Sequence, residues 1–150
     1  MEIERKFLVK DCPLLNTYPF KKIKQIYIST DPVIRIREMN DQFFLTVKSQ
    51  GHMVREEFEM PITKEQFGAL HKKGEGTPII KTRYFIPIEN GLTAELDIYT
   101  EDLDGLCTVE VEFTSIAAAD SFMPPDWFGK DITLDNRYKN NHLATYGKPI

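Results

Sequence analysis

The feature that most constrains the fold of this chain is a pair of like-charged residues, two positions apart, that recurs in most of its predicted strands. In an extended strand successive side chains point to opposite faces, so residues i and i+2 share a face. At the amino end Glu2, Glu4 and Lys6 therefore lie on one face, whereas Ile3 and Phe7 lie on the other. We interpret the repeats as one interior site assembled from many strands.

The same alternation predicts eight short strands separated by turn signals, among them Asn40-Asp41 and Asn90-Gly91. Each later charged face carries one or more ionisable residues. These are Arg35 and Arg37; Lys48; Arg55, Glu57 and Glu59; Lys81 and Arg83; Glu95 and Asp97; and Glu110 and Glu112. We expect the second strand over residues 23–29, the fifth strand to end at Pro61, an N-capped helix at 63–70 and another helix at 136–145.

Composition sets the size and class of the protein. The 150 residues, 41% hydrophobic and 28% charged, predict one globular domain over 1–150 with a real core. A formal net charge of -4 argues against a nucleic-acid partner. No leader pattern or long apolar run is present, so we expect a cytoplasmic protein without a membrane partner. Cys12 and Cys107 are too few for a disulfide framework or a zinc site.

The apolar strand faces are too numerous to remain in water, because large contiguous apolar patches are rare on soluble monomers. The available covers are the helices predicted near 63–73 and 116–145, together with a second subunit in a possible homodimer. If the apolar faces lie outside beneath these covers, the charged faces line the inside of the sheet. We therefore predict a mainly β (α+β) protein, an eight-stranded antiparallel β-barrel forming a tunnel with a charged lumen.

Charges of one sign at roughly 7 Å spacing along a strand repel each other unless opposite charge lies between them. Carboxylate pairs favour a hard divalent cation such as Mg²⁺, whereas arginine and lysine pairs favour a polyanion. A metal-complexed polyphosphate satisfies both sets. Each charged pair taken alone is more typical of a solvated strand face, and only the joint pattern favours the tunnel. His52, His71 and His142 are isolated and are predicted to be surface residues.

The segment Glu2-x-Glu4-x-Lys6 resembles the ExExK signature of the CYTH, or triphosphate tunnel metalloenzyme, superfamily. The likeness continues in order through the charged pairs above to a closing segment, Thr133-x-Asp135-x-Arg137-Tyr138-x-Asn140. It covers nearly the whole chain and is most similar to the small bacterial members. The resemblance implies metal-dependent hydrolysis of a triphosphate, with Mg²⁺ or Mn²⁺ as cofactor.

The resemblance also implies roles for individual residues. The implied metal ligands are Glu2, Glu4, Asp97, Glu110 and Glu112. The implied phosphate-binding residues are Lys6, Arg35, Arg37, Lys48, Arg55, Lys81, Arg83 and Arg137. The implied catalytic residues are Glu2, Glu4, Lys6 and Lys81, and the weaker assignments are Glu57, Glu59 and Glu95.

Inorganic tripolyphosphate is the first expected substrate, because nothing in the sequence resembles a base-recognition pocket. The alternatives are a class IV-type adenylyl cyclase, a thiamine triphosphatase, and a non-catalytic module that binds polyphosphate or nucleotide.

Overall fold

The computed structural model of the chain describes residues 1–149, which form ten strands and three α-helices. The strands are β1 (Glu2–Val9), β2 (Phe20–Thr30), β3 (Val33–Met39), β4 (Gln42–Lys48), β5 (Val54–Arg55), β6 (Glu57–Ile62), β7 (Glu75–Pro87), β8 (Thr93–Tyr99), β9 (Cys107–Glu112) and β10 (Phe128–Asp131). The helices are α1 (Lys64–His71), α2 (Ile116–Ser121) and α3 (Asn140–Tyr146).

All strand pairs are antiparallel, and they follow the order β10-β1-β9-β8-β7-β2-β3-β4-β6. The barrel nearly closes because β5 continues the β6 strand and pairs with β1, where Glu2 lies opposite Arg55. With β5 and β6 counted as one interrupted strand, the eight predicted strands form the ring. Strand β10, which pairs with β1, is a ninth strand that was not predicted. Its sequence, Phe-Gly-Lys-Asp, carries no alternation that could have revealed it.

Several predicted boundaries were wrong for local reasons. The fifth strand does not stop at Pro61, because β6 pairs with β4 alone and an edge strand tolerates a missing N–H. Strand β7 begins at Glu75 and includes Gly76, which has a positive φ of 70°. A Cβ at Gly76 would lie 2.5 Å from the Ala144 carbonyl oxygen, so the approach of α3 requires glycine there. The predicted helix at 136–145 is a 3₁₀ turn, Asn136–Tyr138, followed by α3.

Helices cover apolar outer faces of the barrel, as predicted, although Phe58 and Met60 of β6 are exposed. Ile26 and Ile36 pack against Phe67 of α1, a helix that starts with the predicted capping box at Thr63. A second cluster packs β1, β8 and β9 against Ala119 of α2.

Arg5 interrupts the apolar face of β1 and is bound rather than solvated. Its guanidinium lies 2.9 Å from the Asp131 carboxylate and donates to the Ala119 carbonyl at 3.0 Å. Arg5 therefore ties α2 and β10 to the barrel.

The inward face becomes apolar at one end of the barrel. Tyr27, Val33 and Tyr99, which share the inward parity of the charged residues, are buried with Leu143 and Ala144 of α3. Helix α3 thus covers this end of the barrel, and the charged residues occupy the remainder of the interior. Within residues 1–149 no helix has both the length and the apolar character needed to cross a membrane.

Candidate functional site

The barrel encloses a cavity of about 200 Å³ whose surface is mostly polar. Most of the residues predicted from alternation line it. They are Glu2, Glu4, Lys6, Arg35, Arg37, Lys48, Arg55, Glu57, Arg83, Glu95, Glu110 and Glu112. The inward placement of the charged faces, on which the sequence prediction depended, is therefore what the structure shows.

The cavity has an acidic wall and a basic wall, and the strand order produces both. Strands β8, β9 and β1 are adjacent and carry most of the lining carboxylates. Strands β7, β3, β4 and β5 carry most of the lining cations. The principal exceptions are Lys6 on the acidic wall and Glu57 at the start of β6. Such a polarised cavity offers a cation site on one side and an anion site on the other.

Ion pairs join the two walls where β1 meets β5. Lys48 Nζ lies 2.9 Å from a Glu2 carboxylate oxygen, and Arg55 Nη2 lies 3.5 Å from Glu2 and 3.3 Å from Glu4. Burial opposes ionisation of Glu2, but hydrogen bonds from Glu57 and Lys48 outweigh it and lower the Glu2 pKa to about 2. The charge of the ionised Glu2 carboxylate is therefore already compensated by Lys48 and Arg55 of the basic wall.

Arg35 and Arg37 are the least compensated cations of the basic wall. Both are buried, and among residues 1–149 no carboxylate lies within 4.0 Å of either guanidinium. Arg37 Nε donates to Gln25 Oε1 at 2.9 Å, whereas the buried Nε of Arg35 has no hydrogen-bond partner in the described chain. Burial and repulsion from Arg35 and Arg83 lower the Arg37 pKa to about 9. Two adjacent buried cations without counter-charge call for an anionic ligand.

Glu4 is the carboxylate of the acidic wall whose ionised form is disfavoured by its surroundings. Burial, with repulsion from Glu110 and Glu2, raises its pKa to about 8 despite the nearby Arg55. Glu112 lies directly opposite Glu4 in the β1–β9 register. Glu110 is paired with Lys6 at 3.7 Å. A cation beside Glu4 would relieve this repulsion.

The acidic wall fits a hard, largely hydrated metal ion rather than one enclosed by protein ligands. Within residues 1–149 no three His, Cys, Asp or Glu side chains converge closely enough to hold a metal alone. Mg²⁺ commonly binds through one or two carboxylates while keeping waters or substrate oxygens, and Mn²⁺ shares this oxygen preference. The all-carboxylate donors around Glu4 match that chemistry.

Asp97 and Lys81 lie in the wall, away from the cavity surface. Asp97 is fully buried and accepts two hydrogen bonds from Arg83, at 2.8 and 2.9 Å from Nε and Nη2. Lys81 Nζ lies 2.7 Å from Asp97 Oδ2, the oxygen that also accepts from Arg83 Nη2, and burial lowers the Lys81 pKa to about 7 although Asp97 opposes the shift. The structure thus does not bring Asp97 to the cavity as a metal ligand, nor Lys81 as a direct phosphate contact. Asp97 instead fixes Arg83, whose Nη1 lies 3.0 Å from Glu95.

Two more predicted residues do not line the cavity. Glu59 is exposed and accepts a hydrogen bond from Thr46 at 2.9 Å. Arg137 is exposed, pairs with Asp135 at 2.7 Å and does not line the cavity. Glu59 continues the alternation of β6, but that alternation runs past the edge of the cavity.

The resemblance extended to the carboxyl-terminal segment, but the one binding role it implied there was that of Arg137, so the lining residues of this segment were not assigned. Residues from this segment that line the cavity are Ile132, Thr133, Asp135, Tyr138, Lys139, Asn140 and Asn141. His52, predicted to be a surface residue, is exposed but also lines the cavity and lies 2.7 Å from Asn136 Oδ1. Tyr27 and Val33, which also line the cavity, did carry a usable signal, because they share the inward parity of β2 and β3.

Replacing Asp97 by Asn should destabilise the protein by about 3–5 kcal/mol, because Lys81 would be left buried without a counter-charge and Arg83 would keep only Glu95. Urea denaturation of both proteins at neutral pH measures the change. Asp102→Asn, on an exposed turn, is the matched control and should stay within about 0.5 kcal/mol of the parent. Equal effects of the two substitutions would contradict the assignment of Asp97 as the buried counter-ion.

Comparison with known proteins agrees with this geometry. A 43% identical relative, the inorganic triphosphatase of Nitrosomonas europaea, aligns over 95% of this chain and 96% of its own. The inorganic triphosphatase of Acetivibrio thermocellus is 33% identical over 95% of this chain and 92% of its own. A crystal structure described as an inorganic triphosphatase superposes with a TM-score of 0.74 at 39% identity, covering 99% of this chain and 97% of the other.

The family model for the CYTH domain matches residues 1–137, which include every strand and all the lining residues except those at the start of α3 and just before it. The match confirms the resemblance read from the ordered charged pairs. This chain belongs to the CYTH domain family.

Proposed function

We propose that this protein is a Mg²⁺- or Mn²⁺-dependent hydrolase that converts inorganic tripolyphosphate to pyrophosphate and phosphate. The observation that carries the proposal is the pair Arg35 and Arg37, buried together without a carboxylate within 4.0 Å and facing a wall of glutamates. A polyanion complexed with a divalent cation neutralises both walls at once. The two relatives named above as inorganic triphosphatases support the same reaction.

The size of the cavity favours a compact substrate. Its volume of about 200 Å³ is below the roughly 300–1,000 Å³ typical of pockets that enclose drug-sized ligands. Inorganic tripolyphosphate has no base or thiamine group to place, whereas ATP and thiamine triphosphate would have to extend beyond the charged walls. The polar lining matches a ligand whose whole surface is anionic oxygen.

The residues that would hold the metal are Glu4 with Glu2, Glu110 and Glu112, as the superfamily resemblance implies. Glu4 is the strongest of these assignments, because burial together with repulsion from Glu110 and Glu2 raises its pKa to about 8, and a bound cation would offset that repulsion. Glu2 is shared with Lys48 and Arg55 and is the least available. When bound, the ion would polarise a phosphoryl oxygen and offset the charge that develops on it.

The chain's own part in the reaction is positioning and charge neutralisation. Arg35, Arg37, Lys48, Arg55 and Arg83 would bind the phosphate oxygens from the basic wall, and the arginines can do so in bidentate fashion. Lys6, fixed by the Tyr138 carbonyl at 2.6 Å, would bind from the acidic wall. Because these donors are held in place before the substrate arrives, they cost little reorganisation when charge builds up in the transition state.

Lys81 is buried in the wall against Asp97 and does not line the cavity, so we propose that it holds Asp97 and Arg83 in place rather than taking a proton from a reacting group. Glu57 and Glu95 line the cavity beside Lys48 and Arg83, and we propose that they orient these cations. We propose no role for Glu59 and Arg137 in the reaction.

Phosphate release from tripolyphosphate, ATP, thiamine triphosphate and pyrophosphate tests the proposal. We expect the highest kcat/KM with tripolyphosphate, loss of turnover in EDTA, and recovery when Mg²⁺ or Mn²⁺ is added back. Metal-independent turnover would contradict the proposal. Formation of cyclic AMP from ATP would favour a cyclase, and binding of tripolyphosphate without any turnover would favour a non-catalytic module.

Arg37→Ala should lower kcat/KM for tripolyphosphate by roughly 100-fold or more, since it removes a buried, preorganised donor to the phosphate chain. Arg137→Ala is the matched control, because Arg137 is exposed and already paired with Asp135. It should change kcat/KM by no more than a few fold. Steady-state kinetics with saturating metal distinguishes the two, and a larger loss for Arg137→Ala would overturn the placement of the basic wall.

A further inference from the structure

Lys139 belongs to the carboxyl-terminal segment that covers one end of the cavity, between the 3₁₀ turn Asn136–Tyr138 and α3. Its side chain is half-buried and lines the same cavity as Arg35 and Arg55. It lies outside the sheet and outside every charged pair that the strand alternation reveals. It also lies beyond the 1–137 range matched by the family model.

Three contacts fix the segment at this position. Lys6 Nζ donates to the Tyr138 carbonyl at 2.6 Å, and the His52 ring lies 2.7 Å from Asn136 Oδ1. Lys139 Nζ donates to the carbonyl of Gly51, in the loop between β4 and β5. The segment is therefore fastened to β1 on one side and to the β4–β5 loop on the other, so the ammonium of Lys139 is held at a defined place.

The ammonium of Lys139 shares the lack of compensation seen at Arg35 and Arg37. In the chain as described, residues 1–149, no carboxylate lies within 4.0 Å of its Nζ. Burial, with repulsion from Arg55, lowers its pKa. A lysine has three N–H donors, and the Gly51 carbonyl takes one of them. Two N–H donors of Lys139 thus remain available beside the basic wall. A bound anion would stabilise the ammonium in this position.

We propose that Lys139 is a substrate-binding residue that contacts the phosphate chain at the covered end of the cavity and thereby sets the position at which the chain stops. This inference rests on the proposed function and extends it to a residue outside the barrel strands. Because the ammonium binds the chain in the ground state and in the transition state alike, its loss should act on KM more than on kcat.

The experiment compares Lys139→Met with Lys139→Arg and with Lys148→Met. Lys148 is the matched control, because it also donates to a main-chain carbonyl, that of Asp104, but is exposed and does not line the cavity. Two measurements are made on each protein: steady-state kinetics with tripolyphosphate and Mg²⁺, and the rise in Tm caused by tripolyphosphate in EDTA. The second measurement does not depend on turnover.

We expect Lys139→Met to raise KM roughly tenfold with kcat within about twofold, and to reduce the tripolyphosphate-induced rise in Tm. Lys139→Arg should keep KM and the tripolyphosphate-induced rise in Tm close to the parent values, and Lys148→Met should match the parent in both measurements. An unchanged KM and an unchanged Tm rise in Lys139→Met would overturn the inference and leave the proposed function intact. Equal losses in Lys139→Met and Lys148→Met, or a fall in kcat alone, would overturn it in favour of a structural role.

If the parent protein binds tripolyphosphate but does not hydrolyse it, the proposed hydrolysis fails. The Tm measurement then still tests Lys139, because a smaller rise for Lys139→Met than for Lys148→Met supports phosphate binding, whereas equal rises contradict it.

Discussion

The barrel holds like charges close together in its interior, where they repel each other. The rest of the structure has to offset this repulsion. Arg35 and Arg37 lie buried on one strand without a carboxylate partner, and Glu4 lies across the interior among other carboxylates. Burial of unpaired charge is unfavourable, so the rest of the fold must compensate for it. The fold does so with the apolar outer faces of the strands, which pack beneath α1 and α2. The apolar outer faces thus provide stability, and the charged interior is available for binding a ligand.

The cavity contains two kinds of charged group. Some are already neutralised, such as Asp97 between Lys81 and Arg83, and these give the walls their shape. Others, such as Arg35 and Arg37, are left for a ligand to neutralise, and Glu4 is compensated only by Arg55 at 3.3 Å. The separation follows from strand order, since adjacent strands carry one sign on each side of the barrel. A triphosphate with a divalent cation fits this division, because phosphoryl transfer requires positioned charge more than covalent chemistry from the protein.

Period-two alternation predicted the barrel, its charged interior and most of the residues that line it, because parity in a strand fixes the face of each side chain. It could not predict how far along a strand the cavity extends. Asp97 and Lys81 share the parity of Arg83 but are buried within the wall, and Glu59 shares that of Glu57 but lies beyond the cavity. Strand β10 and Lys139 were missed since they depend on how the carboxyl-terminal segment folds back, which no local pattern encodes. Arg137 was carried over from the family pattern, yet it is exposed, pairs with Asp135 and does not line the cavity.

The most direct measurement is a crystal structure with Mn²⁺ and a non-hydrolysable triphosphate analogue, in which the anomalous signal of manganese locates the metal. We predict phosphate oxygens within hydrogen-bond distance of the Arg35 and Arg37 guanidinium groups, and manganese beside Glu4 on the wall formed by β8, β9 and β1. Phosphates bound on the outer surface, or manganese remote from Glu4 while Arg35 and Arg37 contact only protein and water, would contradict the account.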